Sequence, residues 1–233
     1  MFDNIAPAYD FMNTAMTFGL HRRWLRKALK ALATRLPDGT AGDGMQILDL
    51  ATGTGEVAFS LASMFPQAEI TGADLSEGML EVARKKLAEE PRLLPLAGRV
   101  KFQQGDCLDL KYAPESFDAL TIAYGVRNLE NLKRGFEEFY RVLRPGGSCM
   151  ILELSRPENR FLRLGYDIYS RTLIPLAGRL VSSDRRAYSY LPESIVAMPP
   201  REKICEMLEQ TGFRNVEFKS LTLGVVTYYL ATK

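Results

Sequence analysis

Asp49-Leu50-Ala51-Thr52-Gly53-Thr54-Gly55 closes one apolar run, Ile47–Leu50, and opens into another segment, Val57–Phe65, whose apolar residues recur at helical spacing. A strand that passes through a glycine turn into a helix is the opening of a parallel strand–helix–strand unit. Glycine at 53 and 55 lets the backbone approach a ligand where a side chain would crowd it. The free N–H groups at the helix start can receive a polar group.

Outward from this turn the pattern repeats. Short apolar runs appear at Ile70–Ala73, Val100–Gln103, Ala119–Ala123 and Cys149–Leu154, with helical patterns at Gly78–Leu87 and Leu132–Leu143. The runs at Ile47 and Ala119 are almost wholly apolar, as central strands buried on both faces require. The predicted fold is α/β: a Rossmann-like, doubly wound sheet. At the carboxyl end, Arg201–Gln210 reads as a helix capped by Gly212, and Val216–Lys219 and Val225–Ala231 read as two strands joined by a short turn. They are predicted to pair antiparallel, leaving a parallel sheet with one antiparallel C-terminal strand.

The 233 residues suit one domain with a full core. Four segments are expected within it: N-terminal helices and loop over 1–44, a cofactor-binding core over 45–155, an inserted helical cover over 156–200, and a final helix and strands over 201–233. In the first, Trp24, Leu25, Ala28, Leu29 and Leu32 keep helical spacing before Pro37-Asp38-Gly39 and Gly42-Asp43-Gly44 break the chain. The cover is rich in aromatic and arginine residues, among them Phe161, Tyr166, Tyr169, Arg160, Arg171 and Arg179.

A net charge of +2 carries no broad basic field, so nucleic acid is not an expected partner. The local clusters Arg22-Arg23, Arg26 and Arg185-Arg186 read first as solvated surface. Three widely spaced cysteines, Cys107, Cys149 and Cys205, form neither a disulfide framework nor a metal pattern, and the cytoplasm is the expected compartment. The opening Met1-Phe2-Asp3-Asn4 is polar and acidic, unlike a signal peptide, and no apolar run reaches the roughly 18 residues of a membrane span.

The candidate cofactor residues stand at strand ends, where open α/β sheets bind ligands. Asp49 closes the first strand and either holds the turn or helps place a cationic ligand. Asp74, with Leu75 beside it, ends the second strand, where a carboxylate accepts from two ribose hydroxyls. Asp106 ends the third, placed to accept from an adenine amino group while the Cys107 N–H bonds a ring nitrogen. Gly53, Gly55 and Ala58 also satisfy G-x-G-x-x-A, a short dinucleotide fingerprint with which Asp74 agrees equally well. Asp106, and Arg144-Pro145-Gly146-Gly147 ahead of the fifth strand of a chain ending in an antiparallel pair, favour S-adenosylmethionine over NAD.

Two longer stretches are more specific. Tyr9-Asp10-Phe11-Met12-Asn13-Thr14-Ala15-Met16-Thr17-Phe18-Gly19-Leu20-His21-Arg22-Arg23-Trp24, and Arg141–Gly147 running on to Glu153-Leu154-Ser155, resemble the quinone-biosynthesis C-methyltransferase family. Its members act on demethylmenaquinone or on a ubiquinone-pathway methoxy-benzoquinol. The resemblance covers nearly the whole chain and includes Gly125-Val126-Arg127-Asn128 and Tyr190–Ile195. It implies a class I methyltransferase fold, S-adenosylmethionine as cofactor with contacts at Thr54, Asp74, Asp106 and Cys107, and a prenylated quinol as substrate. Thr17 replaces the usual serine and Arg144 the usual lysine, both keeping the chemistry. Ala123 stands where some members carry a serine near the cofactor, so no hydroxyl contact is available there. The opening Phe2–Pro7 leans toward the menaquinone pathway.

The resemblance also implies methyl transfer to a ring carbon, with Arg127, Asn128 and Tyr9 in catalytic roles. Arginine stays protonated at neutral pH, so Arg127 suits phenolate stabilisation better than direct proton abstraction; otherwise it serves as a salt bridge at a strand end. Tyr9 otherwise packs as an N-terminal core contact. His21, the only histidine, has the intrinsic pKa of an acid–base group, yet beside Trp24 on a helix it equally suits packing or capping. Asp10 is either a competing base or the partner that orients the N-terminal segment. A long isoprenoid tail would bring the chain to the inner face of a membrane, and the aromatic and arginine residues of 156–200 suit that edge, a lid or a homodimer contact equally. A methyltransferase for another acceptor, an NAD-dependent oxidoreductase and a cofactor-binding module without catalysis are the competing readings.

Overall fold

The computed structural model describes residue 6 and residues 9–36, 44–168 and 193–233. The Phe2–Ile5 opening, the Pro37–Gly39 and Gly42–Asp43 breaks, and the cover from Tyr169 through Arg171, Arg179, Arg185-Arg186, Tyr188 and Tyr190 to Pro192 lie outside the described residues. In chain order the elements are α1 (Tyr9–Thr17), α2 (Leu20–Ala33), β1 (Gln46–Leu50), α3 (Glu56–Met64), β2 (Glu69–Asp74), α4 (Glu77–Glu89), β3 (Val100–Gln104), β4 (Phe117–Ala123), α5 (Leu132–Val142), β5 (Leu143–Leu154), α6 (Arg160–Ile168), α7 (Arg201–Thr211), β6 (Arg214–Leu221) and β7 (Val226–Thr232).

Seven strands form one sheet in the order β3-β2-β1-β4-β5-β7-β6. The five strands from β3 to β5 are parallel, and β7 inserts antiparallel between β5 and β6. Strand alternation distributes the core to both faces. Ile47, Ile70, Ala119 and Met150 face one layer, which holds Leu25 and Leu29 of α2 and Phe59 and Leu61 of α3. Leu48, Leu120, Ile122 and Ile151 face the other, against Phe136 and Phe139 of α5 and Ile204 and Leu208 of α7. Among the described residues no helix is long and apolar enough to cross a membrane.

Element ends follow local chemistry. The Ser76 hydroxyl caps α4 by accepting from the Met79 N–H at 3.3 Å, and the Asn131 side chain caps α5 by accepting from the Arg134 N–H. Gly212 ends α7 at φ 116°, as its position after the periodic run predicts. The sequence pattern does not separate α1 from α2, yet Phe18 and Gly19 at φ 50° and 74° break the helix there.

Two strands are longer than predicted. β5 begins at Leu143, which pairs with Phe117 before the register slips and resumes at Ser148 with Ala119. The slip places Arg144-Pro145-Gly146-Gly147 inside the strand as a bulge. There Arg144 Nη1 donates to both Asp118 oxygens at 2.8 and 2.6 Å, while Asp118 also accepts from the Gln46 N–H. This turn therefore works at the amino edge of the sheet, away from the carboxyl ends of the strands. β6 is an exposed edge whose Glu217 and Lys219 keep it from pairing further.

One close approach supports the turn after β1. A Cβ on Gly72 would stand 2.7 Å from Phe102 and 2.8 Å from the Thr52 hydroxyl. Gly72→Ala is therefore expected to destabilise the chain by about 1–3 kcal/mol in urea unfolding, with an unchanged dependence on denaturant.

Candidate active site at the carboxyl edge of the sheet

The turn after β1 is strained and heavily braced. Ala51, Gly53 and Gly55 all have positive φ, at 49°, 55° and 87°. The two glycines differ in what they need. A Cβ on Gly55 would collide with Phe59 and Phe102, whose rings meet edge to face beneath the turn, so packing excludes it. A Cβ on Gly53 would meet nothing nearer than the Tyr9 ring at 3.9 Å. Only Gly53 presents open backbone of the kind expected for both.

Asp49 is fully buried beneath the turn. Its two oxygens accept from the Thr52 and Thr121 hydroxyls, each at 2.6 Å. Burial raises its pKa to about 7, with the Asp74 charge adding to the rise and the two hydroxyl bonds opposing it. Of the two roles open to Asp49, this geometry is the one that holds the turn. Asp74 accepts from the Gly53 N–H at 2.8 Å and the Ser76 N–H at 2.9 Å, joining the first turn to the second. Leu75 beside it is exposed, its carbonyl accepting from the Gln104 amide.

At the next strand end, one Asp106 oxygen accepts from the Leu108 N–H at 2.8 Å. Cys107 is buried, and burial with the nearby Asp74 and Asp106 charges pushes its thiol up to about 12, which leaves the thiol inert. Ala123 ends β4 opposite Leu152. Asp49, Gly53, Asp74, Leu75, Asp106, Cys107 and Ala123 thus lie along adjacent carboxyl ends, β1 through β4.

Helix α1 lies across this edge. The Thr54 hydroxyl donates to Asp10 at 2.5 Å, and the Lys86 ammonium of α4 donates to the second Asp10 oxygen and to the Thr54 carbonyl. Asp10 is therefore engaged as an orienting partner rather than left free as a base. Tyr9 packs with Ala6, Met12 and Met79, and burial raises its phenol pKa against the lowering effects of the Asn13 hydrogen bond and the Arg127 charge. His21 is buried with both ring nitrogens occupied, Nδ1 at 2.7 Å from the Thr17 hydroxyl and Nε2 at 3.5 Å from Glu56. That arrangement agrees with packing. A cleft of about 660 Å³ opens between α2 and α3 and shares Asp10, His21, Glu56 and Lys86 with this region.

Past β4, the Arg127 guanidinium donates to Glu153 at 2.7 Å and to the Tyr124 carbonyl, while the Arg127 backbone N–H donates to the other Glu153 oxygen. Glu153 is buried and Arg127 nearly so, their side chains 2% and 10% exposed. The salt bridge and a place near Tyr9 coexist, so the two readings of Arg127 do not exclude one another. The adjoining Asn128 Oδ1 and Tyr124 Oη are buried with no hydrogen-bond partner among the described residues.

Glu153, Tyr124 and Lys86 were not singled out by sequence. Glu153 had a signal, being the one acid inside the apolar run Cys149–Leu154. Tyr124 had a weaker one as the polar aromatic between an apolar strand and Gly125, and Lys86 had none beyond an ordinary helix lysine.

The model of the ubiE/COQ5 methyltransferase family matches residues 1–233. The chain is 42% identical over 233 residues to the demethylmenaquinone methyltransferase of Bacteroides fragilis, covering 100% of this chain and 91% of that one. It is 45% identical over 229 residues to the ubiquinone/menaquinone biosynthesis C-methyltransferase UbiE of Syntrophotalea carbinolica, covering 98% and 91%. A solved structure of a putative S-adenosyl-L-methionine-dependent methyltransferase from Methanococcus maripaludis aligns with a TM-score of 0.68 at 17% identity, covering 100% of this chain and 94% of that one. At that identity the likeness speaks for the fold.

Two outcomes follow from the buried charges. Glu153→Leu leaves Arg127 without its counter-charge and is expected to cost about 3 kcal/mol in urea unfolding, much of it recovered when Arg127→Met is added. The pKa of Asp49 is raised in the folded chain from 3.8 to about 7. Between those values the folded chain keeps a proton that the unfolded chain has released, so this group's contribution to stability declines as pH rises through that window. Asp49→Asn is expected to flatten that slope in unfolding curves taken at a series of pH values.

Proposed function

The chain belongs to the ubiE/COQ5 methyltransferase family, and on that footing we propose that it catalyses S-adenosylmethionine-dependent C-methylation of a prenylated quinol. Demethylmenaquinol is the first choice of substrate, in line with the name of the Bacteroides fragilis relative, and a ubiquinone-pathway methoxy-benzoquinol the second. The observation that carries the reading is the meeting at one sheet edge of a turn braced by Asp74 with a buried Arg127–Glu153 pair under α1.

The residues at the edge fit the cofactor. Gly53 offers backbone whose missing Cβ leaves open space, and Asp74 and Asp106 supply acceptor oxygens one strand apart. A carboxylate has about four lone-pair sites, so the Asp74 bonds to Gly53 and Ser76 are compatible with its accepting from a ribose hydroxyl. Membership in a methyltransferase family decides against the NAD reading that G-x-G-x-x-A leaves open. When bound, S-adenosylmethionine supplies an electrophilic methyl group on a sulfonium.

The chain's own residues then have three tasks. Arg127, fixed by Glu153 and the Tyr124 carbonyl, presents positive charge to a quinol hydroxyl and stabilises the phenolate left when its proton departs through a water. The phenolate pushes electron density onto the neighbouring ring carbon, the atom that would take the methyl group from a donor held by the Gly53 turn, Asp74 and Asp106. Loss of the ring C–H proton restores aromaticity. Asn128 and Tyr9 border the same space and orient the ring, while α1 excludes bulk water. The prenyl tail would bring the working chain to the inner face of a membrane, a reading supported by the exposed Phe11 of α1, Phe18 just after it and Phe161 of α6.

The test is mass analysis of reduced demethylmenaquinone incubated with S-adenosylmethionine and the protein. One added methyl is expected; no methylated product from folded, cofactor-binding protein overturns the proposal. Arg127→Ala is expected to lower kcat by about 100-fold while cofactor affinity holds. Asp74→Ala is expected to weaken cofactor binding by roughly 10- to 100-fold in calorimetry.

A further inference from the structure

Tyr124 enters the arrangement above only through its carbonyl, yet its backbone conformation and its unbonded phenol both set it apart at the edge. It sits one residue beyond β4 with φ 57°, in the left-handed region that a tyrosine seldom occupies. The surroundings enforce that conformation. The Tyr124 N–H donates to the Leu152 carbonyl at 2.7 Å, and a Cβ on the following Gly125 would come within 2.5 Å of the Ala51 Cβ. The chain thus leaves the strand by one route, and the phenol is carried to where Glu153, Glu56, Tyr9 and Arg127 all act on it electrostatically. Strain held in place by packing on every side is characteristic of functional positions.

The phenol oxygen is sealed from solvent and has no hydrogen-bond partner among the described residues. Leaving a buried hydroxyl unmade costs the fold the desolvation of that group. Phenylalanine would fill the same space against the core of α2 and α3 without that cost. The hydroxyl is therefore not there for the folded chain alone. Burial, together with the Glu153 and Glu56 charges, pushes its pKa well above the usual phenol range, so it remains an O–H donor throughout the physiological range.

We propose that Tyr124 contacts the substrate: its O–H donates a hydrogen bond to the ring oxygen adjacent to the carbon that accepts the methyl group, alongside Arg127. The proposal rests on the quinol-methylation reading and deepens it. Arg127 supplies charge to that oxygen, and Tyr124 supplies direction. A donor rigid in both backbone and ring reaches an oxygen at one place only and is itself left unpaired by a ring without that oxygen, so Tyr124 contributes to specificity as well as to rate.

The experiment is Tyr124→Phe in the full chain, read in three ways. The thermal midpoint should stay level or rise, because an unmade hydrogen bond is removed, and cofactor affinity should not change. The kcat/KM for the reduced naphthoquinol should fall by roughly 100-fold. The third readout is calorimetric affinity for 2-methyl-1-naphthol and for 2-methylnaphthalene, which differ only in the ring hydroxyl beside the methyl group. The wild-type chain should prefer the naphthol, and the variant should lose about 10-fold or more of that preference. An unchanged preference with unchanged kcat/KM overturns the proposal, and a lowered midpoint beside them would assign the hydroxyl to the fold. A wild-type chain inert toward every reduced naphthoquinol would overturn the methylation reading instead, and the naphthol preference would still decide whether Tyr124 reads a ring hydroxyl.

Discussion

A single carboxylate under the first turn holds the working edge of this protein together. Asp49 is excluded from water and shared between two threonine hydroxyls, one on its own turn and one on the neighbouring strand. Thr52 also donates its N–H to the Ala73 carbonyl, so the turn that follows β1 is tied to strands on both sides of β1. The positive φ of Ala51 persists because these bonds and the pressed contact with Gly125 allow no other path. Asp74 extends the same scheme outward by bonding Gly53 and Ser76. The edge is consequently preorganised before any ligand arrives.

Onto this edge the fold brings groups from distant parts of the chain. Tyr9 and Asp10 come from α1, Lys86 from α4, Arg127 from the turn after β4, and Glu153 from the last residues of β5. The charged ones depend on partners from other elements, Asp10 on Thr54 and Lys86, Arg127 on Glu153. A buried guanidinium is tolerable only beside such a counter-charge, and the need for both ties the turn after β4 to β5. The side chains thus check one another's placement, which is how a site assembled across more than half the chain keeps one geometry.

The sheet was legible because its information is local and repeated. Alternating apolar runs, turn glycines and helix periodicity lie within short windows, and the order of elements followed from them. The strand-end acids were legible for a related reason, since Asp74 and Asp106 occupy positions that the topology makes special whatever their neighbours. The bulge at Arg144–Gly147 was not legible, because a register slip depends on what Phe117 and Ala119 do on the neighbouring strand. Nor were the pairings of Asp10 with Lys86 or Arg127 with Glu153, which span 76 and 26 residues and leave no periodic trace. His21 is the instructive case: its residue type pointed to proton transfer, while contact with Thr17 and Glu56 gives both ring nitrogens other work.

The position of α1 bears on what the turn can hold. The Tyr9 ring stands over the Gly53 turn, and Asp10 fastens the same helix to Thr54. A group resting on the open backbone of Gly53 therefore has the Tyr9 ring for a ceiling, and because Tyr9 and Asp10 are neighbours on one helix, any shift of α1 moves that ceiling and breaks the Thr54 bond together.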